Sequence, residues 1–150
     1  MSIEKDINQS KFRSERQKVL INIIYTANWL NEQVKLLLDK EDITQQQFNI
    51  LRILRGAGVP ISTLQIRQRM LDKMSDTSRI VDRLVLKGLV KKNACENDKR
   101  MVDVYITAKG KKLLSKTDQY ENAMDAIAGP LTDADARSLN KLLDKMRNSL

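Results

Sequence analysis

The sequence predicts a mainly helical chain that carries one small β-hairpin, and three observations predict it. Apolar residues recur at three- and four-residue steps near both ends of the chain. Short segments bounded by capping residues fill the middle. After Gly88 the apolar period falls from 3.6 to 2, and it returns to the helical value beyond Thr107.

Residues 11–39 form the first long helix by period. Leu20, Ile23, Ile24, Ala27, Leu30, Val34, Leu37 and Leu38 make one apolar stripe. Ile21, Tyr25, Trp29 and Leu36 make a second that lies roughly opposite, at about 100° per residue. Two opposed stripes mean burial on both sides, and a chain of 150 residues offers little to cover the second. A second copy of the chain is the expected cover. Asp42-Ile43-Thr44 opens the next helix. There Thr44 and Gln47 are spaced as a capping box, and Ile43 with Phe48 as a hydrophobic staple. Phe48, Leu51 and Leu54 give its buried face, and Gly56, Gly58 and Pro60 end it. Ile61-Ser62 starts a short helix to about Leu71, with Leu64, Ile66 and Met70 inward.

Residues 72–75 make a turn, after which Ser75 or Asp76 can cap a helix over 76–87. Its projection gathers Thr77, Ile80, Val81, Leu84, Val85 and Gly88 on one side. Ser75, Arg79, Asp82 and Arg83 fall on the other, with Leu86 among them. Leu89-Val90 begins one strand. In a second strand Val102, Val104 and Ile106 alternate with Met101, Asp103 and Tyr105, and the polar residues 93–100 between them read as the hairpin. Thr107 can cap a helix over 108–128, whose Leu113, Tyr120, Met124 and Ile127 sit near heptad spacing. Gly129-Pro130 breaks it. Thr132 caps a last helix with Ala136, Leu139, Leu142, Leu143 and Met146 on one face.

Composition narrows the chemistry. The chain has no histidine and one cysteine, which removes Ser-His-Asp and Cys-His nucleophiles and any His-containing or multi-Cys metal site. Cys95 reads as an incidental thiol in the hairpin. No cofactor, metal or catalytic residue is assigned. The paired acids of a carboxylate enzyme do not gather in one motif. No apolar run reaches the roughly 20 residues that span a bilayer, and the polar start does not resemble a secretory signal. The expected location is cytoplasmic, with no membrane partner. The net charge is +8, and residues 61–112 hold 13 of the 27 Lys/Arg but only six of the 19 Asp/Glu. Basic charge gathered in one segment suits a polyanion, because neutralised phosphates release counterions. The plainer alternative is a solvated basic face.

Two short helices, a turn, a third helix and a hairpin make a winged helix-turn-helix over 43–107. Residues 11–40 and 108–148 supply a helical dimerisation module from both chain ends. The apolar side of residues 76–87 would pack the helix onto its neighbours and leave the polar side free. A B-DNA major groove, about 12 Å wide, admits one such helix.

The stretches "ITQQQFNILRIL" (43–54), "TSRIVDRL" (77–84), "KGLV" (87–90), "DKR" (98–100) and "VYITAKGKKLL" (104–114), in this order and spacing, resemble the MarR family of bacterial transcriptional regulators. The flanking helices match it only in architecture. The resemblance implies a homodimer built from the first helix and the last two. It implies double-stranded DNA as partner, with residues 75–87 in the major groove of a pseudo-palindromic operator. It also implies a regulator, read as a repressor, that a small-molecule effector could release. The family's wing carries an Asp-x-Arg, matched by Asp98 and Arg100. The arginine would meet the minor groove or backbone, and the aspartate would hold the wing. Lys99 between them joins the candidate set. From the helix, Arg79 and Arg83 are the expected DNA contacts, against pairing with Asp76 or Asp82. Ser75, Thr77 and Ser78 are capping residues that could also reach base or phosphate. Two departures stand out. Arg67 occupies a position where the family usually has a small residue, and Asp72 one where it often has an apolar residue. The competing reading is a winged-helix interaction module whose basic face docks an acidic partner protein.

Overall fold

The computed structural model describes residues 2–94 and 101–148. A short helix α1 (Ile3–Asp6) precedes the long α2 (Glu15–Leu38), which runs into a 3₁₀ turn at Asp39–Glu41. There follow α3 (Gln45–Ala57), β1 (Ile61–Ser62), α4 (Thr63–Arg69), α5 (Thr77–Leu86), β2 (Val90–Ala94) and β3 (Val102–Ile106). The chain closes with α6 (Ala108–Thr117), a 3₁₀ turn at Asp118–Tyr120, α7 (Glu121–Ile127) and α8 (Asp133–Arg147).

Side-chain caps set most of these boundaries. The long helix begins at Glu15 rather than residue 11, because Ser14 Oγ accepts from the Gln17 N–H and fixes the first turn there. Thr44 with Gln47 forms the expected capping box of α3, and Gly58 ends that helix in the left-handed region. Ile43, ahead of that box, is buried, and Phe48 packs partly buried against the same core. Thr107 and Thr132 cap α6 and α8. Ser62 caps α4 in a second capping box with Gln65.

Ile61-Ser62 opens the short helix as read above, with Ser62 as its N-cap, and the same two residues also form a strand. It pairs antiparallel with β3 through Ile61↔Val104 and Ser62↔Asp103, so the hairpin becomes a three-stranded sheet of order β1-β3-β2. Its partner lies some 40 residues away in sequence, which no local pattern records. Leu64, expected inward, is 61% exposed, while Ile66 and Met70 are fully buried. The single helix expected over 108–128 is interrupted at Asp118–Tyr120. The buried Thr117 Oγ1 donates to the Leu114 carbonyl, 2.7 Å, and such back-bonding bends helices. Arg55 also forks onto both oxygens of Asp118, 2.8 and 3.0 Å.

The core sits around α3. Ile50, Leu51 and Leu54 are buried against residues from every neighbouring element, among them Ile66, Val81, Leu84, Val104 and Leu114. The ends of the chain behave otherwise. Only Leu38 of α2 is buried, and Leu20, Ile24, Tyr25, Trp29 and Leu36 remain exposed. Leu139 and Leu142 of α8 are also exposed. Among the described residues no helix is long and apolar enough to cross a membrane.

A polar cluster ties the end of α2 to the break in the C-terminal helices. Glu41 accepts from Lys116 Nζ at 2.9 Å and from the Tyr120 hydroxyl at 3.0 Å. The Lys116 bond, followed by that of Tyr120, holds the Glu41 carboxyl below its ordinary value. A carboxyl with a depressed folded pKa stabilises the fold above its unfolded value, about 4.3, and loses that contribution as pH falls through the folded pKa. At fixed protein concentration, the stability difference between wild type and Glu41→Gln should therefore shrink as urea titrations move from pH 7 towards pH 3. A difference independent of pH would show that the carboxylate charge is not involved.

Two glycines should respond oppositely to alanine. A Cβ at Gly110 of α6 would lie 2.3 Å from the Leu89 carbonyl oxygen and 2.7 Å from Ile106 Cγ1. Gly110→Ala should therefore destabilise by about 1–3 kcal/mol through overpacking. Gly56, in the last turns of α3, meets nothing within 4 Å. Gly56→Ala should stabilise by up to about 1 kcal/mol. Thermal and urea denaturation of both variants measure the two signs.

Candidate nucleic-acid interface

α5 is held by one face and capped at both ends. Asp76 is its N-cap, with a carboxylate oxygen accepting from the Arg79 N–H at 3.1 Å. Val81 and Leu84 are buried in the core. Ile80 packs partly buried against it. At the other end Lys87 is the C-cap, and Gly88, with φ of 71°, turns the chain into β2. That conformation suits glycine because it has no Cβ. The Thr107 hydroxyl donates to the Gly88 carbonyl at 2.7 Å, which joins the helix end to the base of the wing.

The opposite face is open. Ser78, Arg79, Asp82 and Arg83 are all exposed. The acids that could have neutralised the two arginines are engaged elsewhere. Asp76 caps the helix, and Asp82 forms an ion pair with Lys92 of β2. Among the described residues neither Arg79 nor Arg83 has an acidic partner. The Asp82–Lys92 pair also links helix to wing, a connection the sequence reading did not find, because Lys92 stands in a strand ten residues further on. Lys87 is likewise engaged: its Nζ bonds the carbonyl and carboxylate of Asp42, a residue in the left-handed region with φ of 52°.

The remaining candidates divide. Ser75 is half-buried and its hydroxyl donates to the Asp72 carbonyl at 2.7 Å, so it orders the turn. Thr77 does not join the exposed set: it is 4% exposed and its Oγ1 points away from solvent. The reason is its place on the face that packs, beside Val81 and Leu84. Val85 and Gly88, expected on that face, are exposed instead, since the inward stripe is narrower than the projection. Leu86 is 87% exposed. Cys95, Asp98, Lys99 and Arg100 lie outside the described residues.

The two departures at Arg67 and Asp72 disturb nothing. Asp72 is exposed, and its carboxylate accepts from the Met74 N–H at 3.0 Å, forming a turn with its own backbone. Asn49 of α3 accepts from the Leu71 N–H at 2.9 Å and anchors the same turn. Arg67 is exposed on α4 and adds a cation beside the start of α5.

The MarR family model matches residues 43–102. Escherichia coli MarR, the multiple antibiotic resistance protein, is 30% identical, the match covering 78% of this chain and 79% of that protein. The chain belongs to the MarR family. Another MarR-family relative is the transcriptional regulator PecS of Dickeya dadantii, 27% identical over 93% of this chain and 90% of that protein. A crystal structure of mutant E. coli MarR complexed with operator DNA superposes with a TM-score of 0.80 at 25% identity, covering 91% of this chain and 99% of that one. The mainly helical architecture with a small antiparallel sheet is therefore that of a MarR-like winged helix.

Proposed function

We propose that the chain is a transcriptional regulator that binds double-stranded DNA, inserting α5 into the major groove. One observation carries the reading: Arg79 and Arg83 lie exposed on a helix whose other side is buried, and the nearby acids are occupied by a cap and by Lys92. Arginine forks match the O6 and N7 acceptors of guanine, and each good bidentate contact discriminates by about 1–3 kcal/mol. The E. coli relative seen with operator DNA supports the same partner. Residues 43–107 form the DNA-binding part in this reading. The wing residues Asp98, Lys99 and Arg100 belong to it through the family's Asp-x-Arg, with Arg100 placed at the minor groove or backbone.

The chain acts as a homodimer in this reading. The apolar residues left exposed on α2 and α8 are too many for a monomer's surface. A dimer built from 11–40 and 108–148 would present two copies of α5 to half-sites about 34–36 Å apart, hence a pseudo-palindromic operator. It would act most simply as a repressor, by occupying a promoter.

Light scattering at micromolar concentration should give the mass of a dimer. A stable monomer of 17.2 kDa would refute the assembly. Arg79→Ala or Arg83→Ala should cost about 1–3 kcal/mol on a selected operator and flatten the preference at particular base pairs. Binding of each variant to operator and random duplex measures this. Equal losses on both DNAs would deny α5 a reading role, and competition by an acidic protein but not by duplex would point to a protein partner instead.

A further inference from the structure

The open face of α5 carries one side chain that neither charge nor hydrogen bonding explains. Leu86, the last residue of the helix, is 87% exposed. At about 100° per residue, Arg79, Arg83 and Leu86 fall within roughly 60° of one another, so the leucine stands in the middle of the arginine face. A single exposed leucine is ordinary on a protein surface. This one is set among charges, with the exposed Asp82 and Arg83 one helical turn before it. Two of the charged side chains at that end of the helix are drawn aside. Asp82 pairs with Lys92 of β2, and Lys87 Nζ bonds Asp42. Beside Arg83, the last turn therefore presents a branched apolar group.

We propose that Leu86 is a specificity residue, whose side chain meets the C5 methyl group of a thymine in the major groove. The inference rests on the reading that α5 docks on DNA, and it adds a base that the arginines do not read. Guanine, adenine and cytosine present hydrogen-bond donors and acceptors in the major groove. Thymine adds a methyl group, and this is the feature that an apolar side chain complements. A leucine pressed against the polar groups would strip water from them and return no hydrogen bond. Against the methyl it takes two apolar surfaces out of water at once. The spacing suits one half-site. Seven residues separate Arg79 from Leu86, about 10 Å of helix axis or about three base-pair steps. A guanine under Arg79 and a thymine under Leu86 would then lie about three steps apart, with Arg83 between them.

The test starts from the operator that the full-length dimer selects from random duplexes. Each thymine of a half-site is replaced in turn by deoxyuridine, which lacks only the C5 methyl, symmetrically in both half-sites. At one position the change should weaken wild-type binding by roughly fourfold per half-site, the worth of one buried methyl group. Leu86→Ala should bind the thymine and deoxyuridine operators alike. Its own selection should lose that thymine and keep the guanines, with the melting temperature unchanged because the side chain lies in solvent. A deoxyuridine series without effect at any position would overturn the assignment, as would a wild-type response in Leu86→Ala. Equal losses on operator and random duplex in Leu86→Ala would also overturn it. So would a wild-type assembly larger than a dimer that Leu86→Ala reduces to a dimer, because protein would then cover the leucine. Arg79→Ala and Arg83→Ala in the same series tell the two failures apart. If they lose guanine preference while deoxyuridine has no effect, α5 reads DNA without Leu86. If they weaken both DNAs equally, the reading of α5 itself fails.

Discussion

The packing of α3 is the constraint on which the rest of the molecule depends. This one helix meets α2, α4, α5, α6 and β3, and it does so with Ile50, Leu51 and Leu54 essentially removed from water. Each such side chain contributes roughly 1.5–3 kcal/mol of burial. Its direction is set before any packing, by the Thr44–Gln47 box at one end and Gly58 at the other. With α3 fixed, Val81 and Leu84 have a surface to cover, and covering it decides how α5 is rotated about its axis. The rotation matters more than the helix itself. A turn of about 100° would exchange Arg83 for Leu84 on the outer face.

The middle and the ends of the chain solve different problems. The winged region closes its own core: β3 lies between β1 and β2, and Val104 at its centre is fully buried. The helices from the two termini do not. α2 is 24 residues long and buries only Leu38, while Trp29, Leu30 and Leu36 stay exposed. The two parts share the apolar core through Leu38 of α2 and Leu114 of α6, and polar links add to it: Glu41 with Lys116 and Tyr120, and Arg55 with Asp118. The Arg55–Asp118 pair is partly exposed and worth little on its own, whereas the Glu41 side chain is only 7% exposed.

Much of this was legible in the sequence because its signals are local. Thr44, Asp76, Thr107 and Thr132 stand at the helix starts where capping side chains were expected. The change of period after Gly88 marks the sheet. What escaped had a partner distant in sequence. β1 is two residues long and exists only because β3 returns beside it. The break at Asp118 depends on Arg55, and the placement of Lys92 depends on Asp82. A helical projection gave α5 too wide a buried face, because it cannot know that α3 and α4 reach only as far as Thr77, Val81 and Leu84. Thr77 lay at once on the apolar side and among the candidate contacts, and only the packing separated the two.

The charge of the interface is likewise a consequence of fold rather than of composition. The segment 61–112 holds six acids, enough to neutralise nearly half of its cations if they were free to do so. The described acids near α5 are committed to shape. Asp72 makes the turn, Asp76 the cap, and Asp82 the tie to the wing through Lys92. Each spends its carboxylate on a backbone N–H or on a residue outside the reading face. Arg79 and Arg83 are thereby left without an acidic partner among the described residues, on the face proposed to meet DNA. In the proposed reading, the geometry of these acids, directed to the turn, the helix start and the wing, leaves the arginine side chains free to meet a partner.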